Sequence, residues 1–259
     1  MKIDLNSDLG ESFGAWKMGD DAAMLDIVTS ANIACGFHAG DPLVMHRTMS
    51  AAKERGVSIG AHPSFLDLWG FGRRSILGER PDDIEKMVIY QIGAAAALAQ
   101  TLGHPLAHVK THGTLGNMAM VDIDLARAVA RAVRLFDRDL ILVAMPGLAL
   151  EKAGLEQGLR VAREIYADRT YDDDGNLTSR KIPGAVIEDV AVAVKRVLTM
   201  LDEQAITTVG GRTLPVTIDT ICVHGDNAHA VAMASTLRTA LETAGYTLEA
   251  FSKGGGPQN

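Results

Sequence analysis

Short apolar runs in this sequence end, one after another, in residues that can move protons or hold anions. Asp8 and Glu11 follow the run at 3–9, His38 and Asp41 follow 30–35, and His62 follows 57–61. Lys110 and His112 close 107–110, Asp168 and Arg169 follow 159–165, and His224 and Asp226 end 220–223. Imidazoles and carboxylates serve as general acids, general bases or metal ligands, and a lysine or arginine steadies a carboxylate or an oxyanion. Any one of them is equally at home as a helix cap or a solvated surface group. Ionisable groups at the ends of six of seven such runs are more than surface decoration, and an active site is expected where those ends meet.

Two chemistries stay open for the set. A divalent-metal site would draw on Asp8, His38, His62 or His224; the alternative uses the same groups as acid, base and hydrogen-bond donors without metal. His108 and His112 form H-x-x-x-H, but along an extended strand four residues cover roughly 13 Å. On a strand, those two do not share one ion. Lys110 is either a shielded Schiff-base amine or a cation for a carboxylate or oxyanion, and the electrostatic role is preferred because His112 and Asp168 can share its site. Residues 62–81 carry Trp69, Gly70, Phe71, Gly72, Arg73 and Arg74. That composition suits a lid over an anionic ligand, and equally a packed loop whose arginines hold neighbouring acids. Asp172-Asp173-Asp174-Gly175-Asn176 lacks the closing glutamate of a calcium loop and reads as a solvated turn.

The elements that must position these groups repeat. Each apolar run is followed by a polar or glycine-rich loop, and helical patterns lie at 42–55, 81–102, 123–136, 148–157, 185–203 and 228–244. Asp41-Pro42 supplies an N-cap and a proline at the first helical position, and Gly56 stands where a left-handed C-terminal residue belongs. Strand followed by helix, about seven times, requires parallel strands with right-handed crossovers. The expected fold is α/β, a single-domain parallel (β/α)7-type barrel over 1–259. A β-hairpin insertion is expected near 205–216 around Gly210-Gly211, and a flexible tail at 253–259. In such a barrel all the strand ends share one face, where barrel enzymes keep their active sites.

Composition removes other classes. A net charge of −7 without a lysine or arginine run argues against nucleic acid or an anionic membrane as the main partner. The stretch 87–103 is interrupted by Gln91, Gly93 and Gln100 and falls short of the roughly 20 apolar residues of a span; it reads as a buried helix or a homo-oligomer interface. Cys35 and Cys222, the only cysteines, have no metal-type spacing and suit free thiols in a reducing cytoplasm. No phosphate-binding glycine loop and no G-x-S-x-G elbow is present.

The rim segments also carry a resemblance. Asp4-Leu5-Asn6-Ser7-Asp8-Leu9-Gly10-Glu11-Ser12-Phe13-Gly14 and Ser30-Ala31-Asn32-Ile33-Ala34-Cys35-Gly36-Phe37-His38-Ala39-Gly40-Asp41-Pro42 resemble two signatures of the LamB/YcsF family, the 5-oxoprolinase A subunits. Further matches at Ile59-Gly60-Ala61-His62-Pro63, Gly70-Phe71-Gly72-Arg73-Arg74, His108-Val109-Lys110, Ala167-Asp168-Arg169 and Thr220-Ile221-Cys222-Val223-His224-Gly225-Asp226 follow in one order. The resemblance implies a glycoside hydrolase/deacetylase-like barrel and ATP-dependent opening of 5-oxoproline to L-glutamate. It further implies separate B and C subunits that handle the ATP and phosphorylate the lactam oxygen. Asp8 or His62 is then the base, Lys110 and His112 stabilise negative charge, and His224 completes the catalytic set. Glu11, His38, Asp41, Arg73, Asp168, Arg169 and Asp226 form the substrate-binding set, with Arg73 or Arg169 on the carboxylate. Lys110-Thr111-His112-Gly113-Thr114-Leu115-Gly116-Asn117 stands where the family usually has K-P-H-G-A-L-Y-N, which leaves the identity of the lactam open. Three rivals accompany this reading: a metal-dependent deacetylase or other amide hydrolase, a non-catalytic scaffold subunit, and a Schiff-base lyase centred on Lys110.

Overall fold

The computed structural model describes residues 1–250; the tail expected at 253–259 lies outside the described residues. Seven parallel strands close into a barrel: β1 (Lys2–Leu9), β2 (Ser30–Ala34), β3 (Ser58–His62), β4 (His108–Lys110), β5 (Ile141–Ala144), β6 (Arg160–Tyr166) and β9 (Thr220–Cys222). They run in that spatial order, and β9 pairs with both β6 and β1 to complete the ring. Between the strands lie α1 (Asp21–Leu25), α2 (Pro42–Glu54), α3 (Pro81–Thr101), α4 (Gly113–Ala119), α5 (Ile123–Phe136), α6 (Ala149–Glu156) and α7 (Val190–Glu203), with α8 (Ala228–Thr243) after the last barrel strand. β7 (Ala205–Thr207) and β8 (Thr213–Pro215) pair antiparallel beside the barrel, and β10 (Thr247–Leu248) pairs with the first two residues of β1.

The helix boundaries have local causes. Asp41, Asp122, Asp189 and Asn227 each accept from backbone N–H groups at the start of α2, α5, α7 and α8. Gly56 ends α2 at φ +68°, a conformation that costs a side chain dearly. α7 starts at Val190, not at 185 as the apolar pattern suggests, because the preceding backbone is bound elsewhere: Ile187 N–H donates to Asp168 and Thr170 N–H to Ala185. α3 buries Ile84, Val88, Ile92, Ala95 and Ala99 and packs along α5, so the apolar stripe of this long helix is core. Among the described residues no helix is long and apolar enough to cross a membrane.

β1 shows how the barrel divides its side chains. Alternate residues of a strand point to opposite faces, so Ile3, Leu5 and Leu9 join the apolar layer under the helices while Asp4, Asn6 and Asp8 turn into the barrel. There they find polar partners from across the ring. Asn6 donates to Glu164 at 3.0 Å and to Thr220 at 2.7 Å, and its own oxygen accepts from Asn32 at 2.8 Å. Below them Asp4 accepts from Ser30 and Thr29, and burial pushes its carboxyl up to about 6. His108 donates to Asn32 from β4, its ring filling the space where a side chain on Gly60 would stand. On β5 and β6, Ile141, Val143 and Ala162 form a small apolar cluster of their own.

Candidate active site

The C-terminal mouth of the barrel gathers the groups that the loops deliver. Gly10, at φ +69°, turns the chain sharply after β1, and its N–H donates to Asp21. The turn folds Glu11 back over the mouth, where its Oε1 lies 3.1 Å from His38 Nε2 and 3.1 Å from His112 Nδ1. His62 comes from the end of β3, His112 from the residue preceding α4, and His38 from the loop after β2. The His38 and His112 rings stack at 3.8 Å between centroids, and Phe71, itself at φ +55°, meets both edge-on. Gly72 threads between Ser64, His38 and His112, and a Cβ there would collide with Ser64 Oγ.

The hydrogen bonds fix which nitrogens carry protons. His62 Nδ1 is 2.7 Å from the backbone carbonyl of Lys110, and His112 Nε2 is 2.9 Å from that of Phe71. A carbonyl only accepts, so those nitrogens are the N–H donors. In the neutral rings, His62 Nε2 and His112 Nδ1 are then lone pairs, 3.1 Å apart and both beside Glu11. Acceptors crowded together in this way call for a proton or a cation between them.

One ligand atom each from Glu11, His38, His62 and His112 lies within 4.8 Å of the others, all four residues buried. Three imidazoles and a carboxylate are a donor set for zinc, manganese or iron, and an outer nitrogen held on a backbone carbonyl is the usual support for a ligating histidine. The residues therefore fit a divalent ion. This set differs from the one expected from sequence: of Asp8, His38, His62 and His224, only His38 and His62 belong to it. Asp8 bonds instead to Lys110 at 3.1 Å and to Asn32 at 2.9 Å, and reaches His62 at 3.2 Å. His224 is drawn away by Asp168, whose Oδ2 lies 2.8 Å from its Nδ1.

Lys110 rises from β4 into a buried cage. Its ammonium contacts Glu164 at 2.7 Å, Asp8 at 3.1 Å, Asn6 at 3.2 Å and Cys222 Sγ at 3.2 Å, and sits 5.4 Å above the Tyr166 ring. Burial alone would lower its pKa, but Asp8 and the groups around Cys222 and Glu164 outweigh that and hold it well above the usual lysine value. The ammonium is ion-paired on two sides, which favours the electrostatic role over the Schiff-base one. Around it the carboxylates answer in kind: despite burial, Asp8 is held far below its ordinary range by His62 and Lys110, and Glu11 far below by the adjoining His112 and His38 rings. His38, desolvated and beside His112, falls to about 3 and is neutral at pH 7. His62 is raised, because Asp8 more than offsets its burial.

Two cavities open at this rim. One, of about 560 Å³, is walled by Lys110, His112, Tyr166 and Glu164 on the barrel side and by Arg73, Arg180 and Lys181 on the loops. The other, of about 610 Å³, lies between the β6 and β9 loops and α8 and holds Asp168, His224, Asp226 and Glu188. Burial works to lower His224, yet Asp168 keeps it above the ordinary histidine value. Asp168 is correspondingly lowered against its own desolvation.

Two expected substrate contacts, Asp41 and Arg169, bind backbone within the protein. Asp41 accepts from Leu43 and Val44 as the cap of α2, and from Gly14, so its carboxylate is committed to backbone. The buried Arg169 guanidinium donates to the carbonyls of Thr178 and Ala185. In the 62–81 loop Arg74 binds Asp67, leaving Arg73 to face the first cavity. Asn6, Asn32, Glu164 and Tyr166, which complete the cage, were given no role from sequence, and His108 and Cys222 only those of an H-x-x-x-H partner and a free thiol; the signal was the alternation of Asp4, Asn6 and Asp8 along a strand whose outer face is covered.

A closed parallel barrel with buried carboxylates and imidazoles converging at its C-terminal mouth defines a (β/α)7-barrel enzyme. The chain belongs to the LamB/YcsF family, whose family model matches residues 3–255. It is 53% identical over 253 residues to the 5-oxoprolinase A subunit of Rhodopseudomonas palustris (strain BisB5), covering 98% of this chain and 100% of that one. Its structure resembles that of the lactam utilization protein from Thermus thermophilus, at 43% identity and a TM-score of 0.91, covering 97% of this chain and 100% of that one. The catalytic domain of a peptidoglycan N-acetylglucosamine deacetylase from Eubacterium rectale shares the fold at 10% identity and a TM-score of 0.50, with 96% and 88% coverage.

Proposed function

We propose that this chain is the ring-opening subunit of a 5-oxoprolinase. Together with B and C subunits that handle ATP, it converts 5-oxoproline to L-glutamate. The observation that carries the reading is the buried cluster of Asp8, Glu11, His62, Lys110 and His112, in a chain 53% identical to a 5-oxoprolinase A subunit over nearly its whole length. The free, buried Cys35 and Cys222 suit a reducing cytoplasm.

Opening a lactam adds water to the ring carbonyl carbon and breaks its bond to nitrogen. One proton must leave the water, and another must reach the departing nitrogen. The Asp8 carboxylate, 3.2 Å from His62, accepts the first. The Lys110 ammonium, kept charged by Asp8 and Glu164, stabilises the negative charge that builds on oxygen. His224, paired with Asp168 at 2.8 Å and raised by it, donates the second proton to the ring nitrogen. A divalent ion held by Glu11, His38, His62 and His112 would supply a Lewis acid to the carbonyl oxygen or to water. The lactam's own carboxylate is taken by Arg73.

The test is glutamate release from 5-oxoproline and ATP by the chain alone and with its B and C partners. Release only in the complete mixture is expected. No release with partners that work beside a different, proven ring-opening chain would sink the assignment. A second reading, a self-sufficient metal-dependent amide hydrolase, is favoured by the four-ligand cluster; it requires metal-dependent turnover of a cyclic or acylated amide without partners or ATP.

A further inference from the structure

Phe71 holds a left-handed backbone that bulky side chains rarely adopt, and Gly72 beside it repeats that conformation at φ +63°. Among the described residues Gln204, at the end of α7, is the one other non-glycine residue that does so. A phenylalanine where glycine would sit without strain is retained for what it touches. Both its carbonyl and its ring face the histidine cluster. The carbonyl accepts from His112 Nε2 at 2.9 Å, and the ring meets His112 at 5.1 Å and His38 at 5.6 Å between centroids, edge-on to both.

The turn that carries Phe71 is tied to the segments that carry those two histidines. Asp67 N–H donates to the carbonyl of Phe37, next to His38, and Thr114 N–H, in the helix that follows His112, donates to that of Gly72. His112 N–H donates to the Pro63 carbonyl, and Gln91 of α3 holds Ser64 through its N–H at 2.9 Å and its carbonyl at 2.8 Å. Inside the turn, Gly72 N–H donates to the Asp67 carbonyl, and the buried Asp67 carboxylate accepts from Gly70 N–H. The Phe71 carbonyl then decides a tautomer. While it accepts from Nε2, the neutral His112 ring turns the Nδ1 lone pair to Glu11 and His62, each 3.1 Å away. Without that acceptor the proton can shift to Nδ1 and donate to Glu11, which closes the cluster on a proton in place of an ion.

We propose that Phe71 is a positioning residue for the divalent-ion site, its carbonyl holding His112 in the ligating tautomer and its ring bracing the His38–His112 stack, so that seating of the 67–74 turn and uptake of the ion are one coupled equilibrium. This rests on the ion site of Glu11, His38, His62 and His112, not on the lactam that is opened. Such coupling is reciprocal: the factor by which the seated turn raises ion affinity is the factor by which the ion holds the turn in place.

The probe is zinc, and both readouts are independent of turnover. Chelator-treated wild type, Phe71→Gly and Phe71→Leu are titrated with zinc against a chromogenic chelator, with circular dichroism to confirm folding. In parallel, trypsin cleavage after Arg73 and Arg74, both exposed, is timed by mass spectrometry with and without zinc, relative to cleavage after the other exposed lysines and arginines. Phe71→Gly relieves the backbone but frees the carbonyl and loses the ring, so it should weaken zinc binding at least about tenfold. Phe71→Leu keeps the bulk and should retain part of the affinity. Zinc should slow cleavage of the wild-type turn at least about fivefold, and by less in Phe71→Gly. Zinc affinity equal to wild type in both variants overturns the positioning role. So does a wild-type turn cleaved equally fast with and without zinc, a result that stands even where Phe71→Gly fails to fold. A wild-type chain that takes up no zinc overturns it together with the ion site. Glutamate release in the mixture with B and C subunits is a separate measurement, so lactam opening stands or falls apart from any of these results.

Discussion

His62 Nε2 and His112 Nδ1 face one another across 3.1 Å, while the far nitrogen of each ring is fixed on a backbone carbonyl. With Glu11 3.1 Å from His112, the arrangement is a set of acceptors waiting for positive charge. We expect the chelator-treated chain to take up one divalent ion from zinc, manganese or cobalt solutions, read by elemental analysis after dialysis. His112→Ala and Glu11→Ala should each weaken that uptake by more than about tenfold. Unchanged affinity in both variants, or no uptake by wild type, would mean that the cluster shares a proton instead. Because an ion binds only the folded state, uptake should also stabilise the fold, by about 2.7 kcal/mol at a hundredfold excess over Kd, and raise the unfolding midpoint.

The Asp168–His224 pair sets a pH dependence whose sign can be worked out. His224 is raised in the folded state, so its contribution to stability is full below its unfolded pKa and is lost as pH rises through the folded value. Asp168 is lowered, so its contribution is present above its unfolded pKa and is lost as pH falls through the folded value. The pair therefore stabilises fully between about pH 4 and about pH 6.5. As general acid, His224 gives an alkaline limb to the rate profile. Asp168→Asn leaves the desolvation and removes the charge that opposed it, so the limb should move to lower pH. A limb that stays in place would assign the proton to another group.

Much of the barrel was legible because the local signals agreed with one another. Asp122 caps α5 where the apolar period of 123–136 begins, and Asp41-Pro42 opens α2. α4 escaped because it is only seven residues long and carries two glycines, too little for any period to register. The candidate site was half legible: residues at strand ends were found, but not which of them meet. Glu11 joins the histidines only because Gly10 turns the chain back, and His224 leaves them only because Asp168 holds it. The polar cage was missed for a geometric reason. β1 alternates like a strand with one solvated face, whereas here helices cover the outside and the polar face looks into the barrel.

Gly60 offers a test of that inward packing. A Cβ on it would collide with the His108 ring on the neighbouring strand. The ring lies in the barrel interior and holds Asn32, which in turn positions Asp8, so it has little room to retreat. Gly60→Ala should cost about 1–3 kcal/mol by overpacking, read from denaturant midpoints. It should also lower turnover by disturbing Asp8. A variant as stable and as active as wild type would show that the interior repacks freely.

Lys110 gives the sharpest separation between the electrostatic and covalent readings of this site. Its ammonium is buried and shared by Glu164 at 2.7 Å and Asp8 at 3.1 Å. Lys110→Met would remove the cation that Asp8 and Glu164 share and leave Glu164 without a counter-charge in the barrel, at a cost of about 3–5 kcal/mol. Neutralising one of them as well, in Lys110→Met/Glu164→Gln, should recover part of that stability while leaving turnover low, because the cation that steadies the oxyanion is still missing. Equal instability of the single and double variants would mean that packing, not charge, holds Lys110 in place. Since the amine stays protonated at neutral pH, borohydride with a carbonyl substrate should trap no adduct on the wild-type chain. A reduced adduct at Lys110 would overturn the electrostatic role and return the lysine to nucleophilic chemistry.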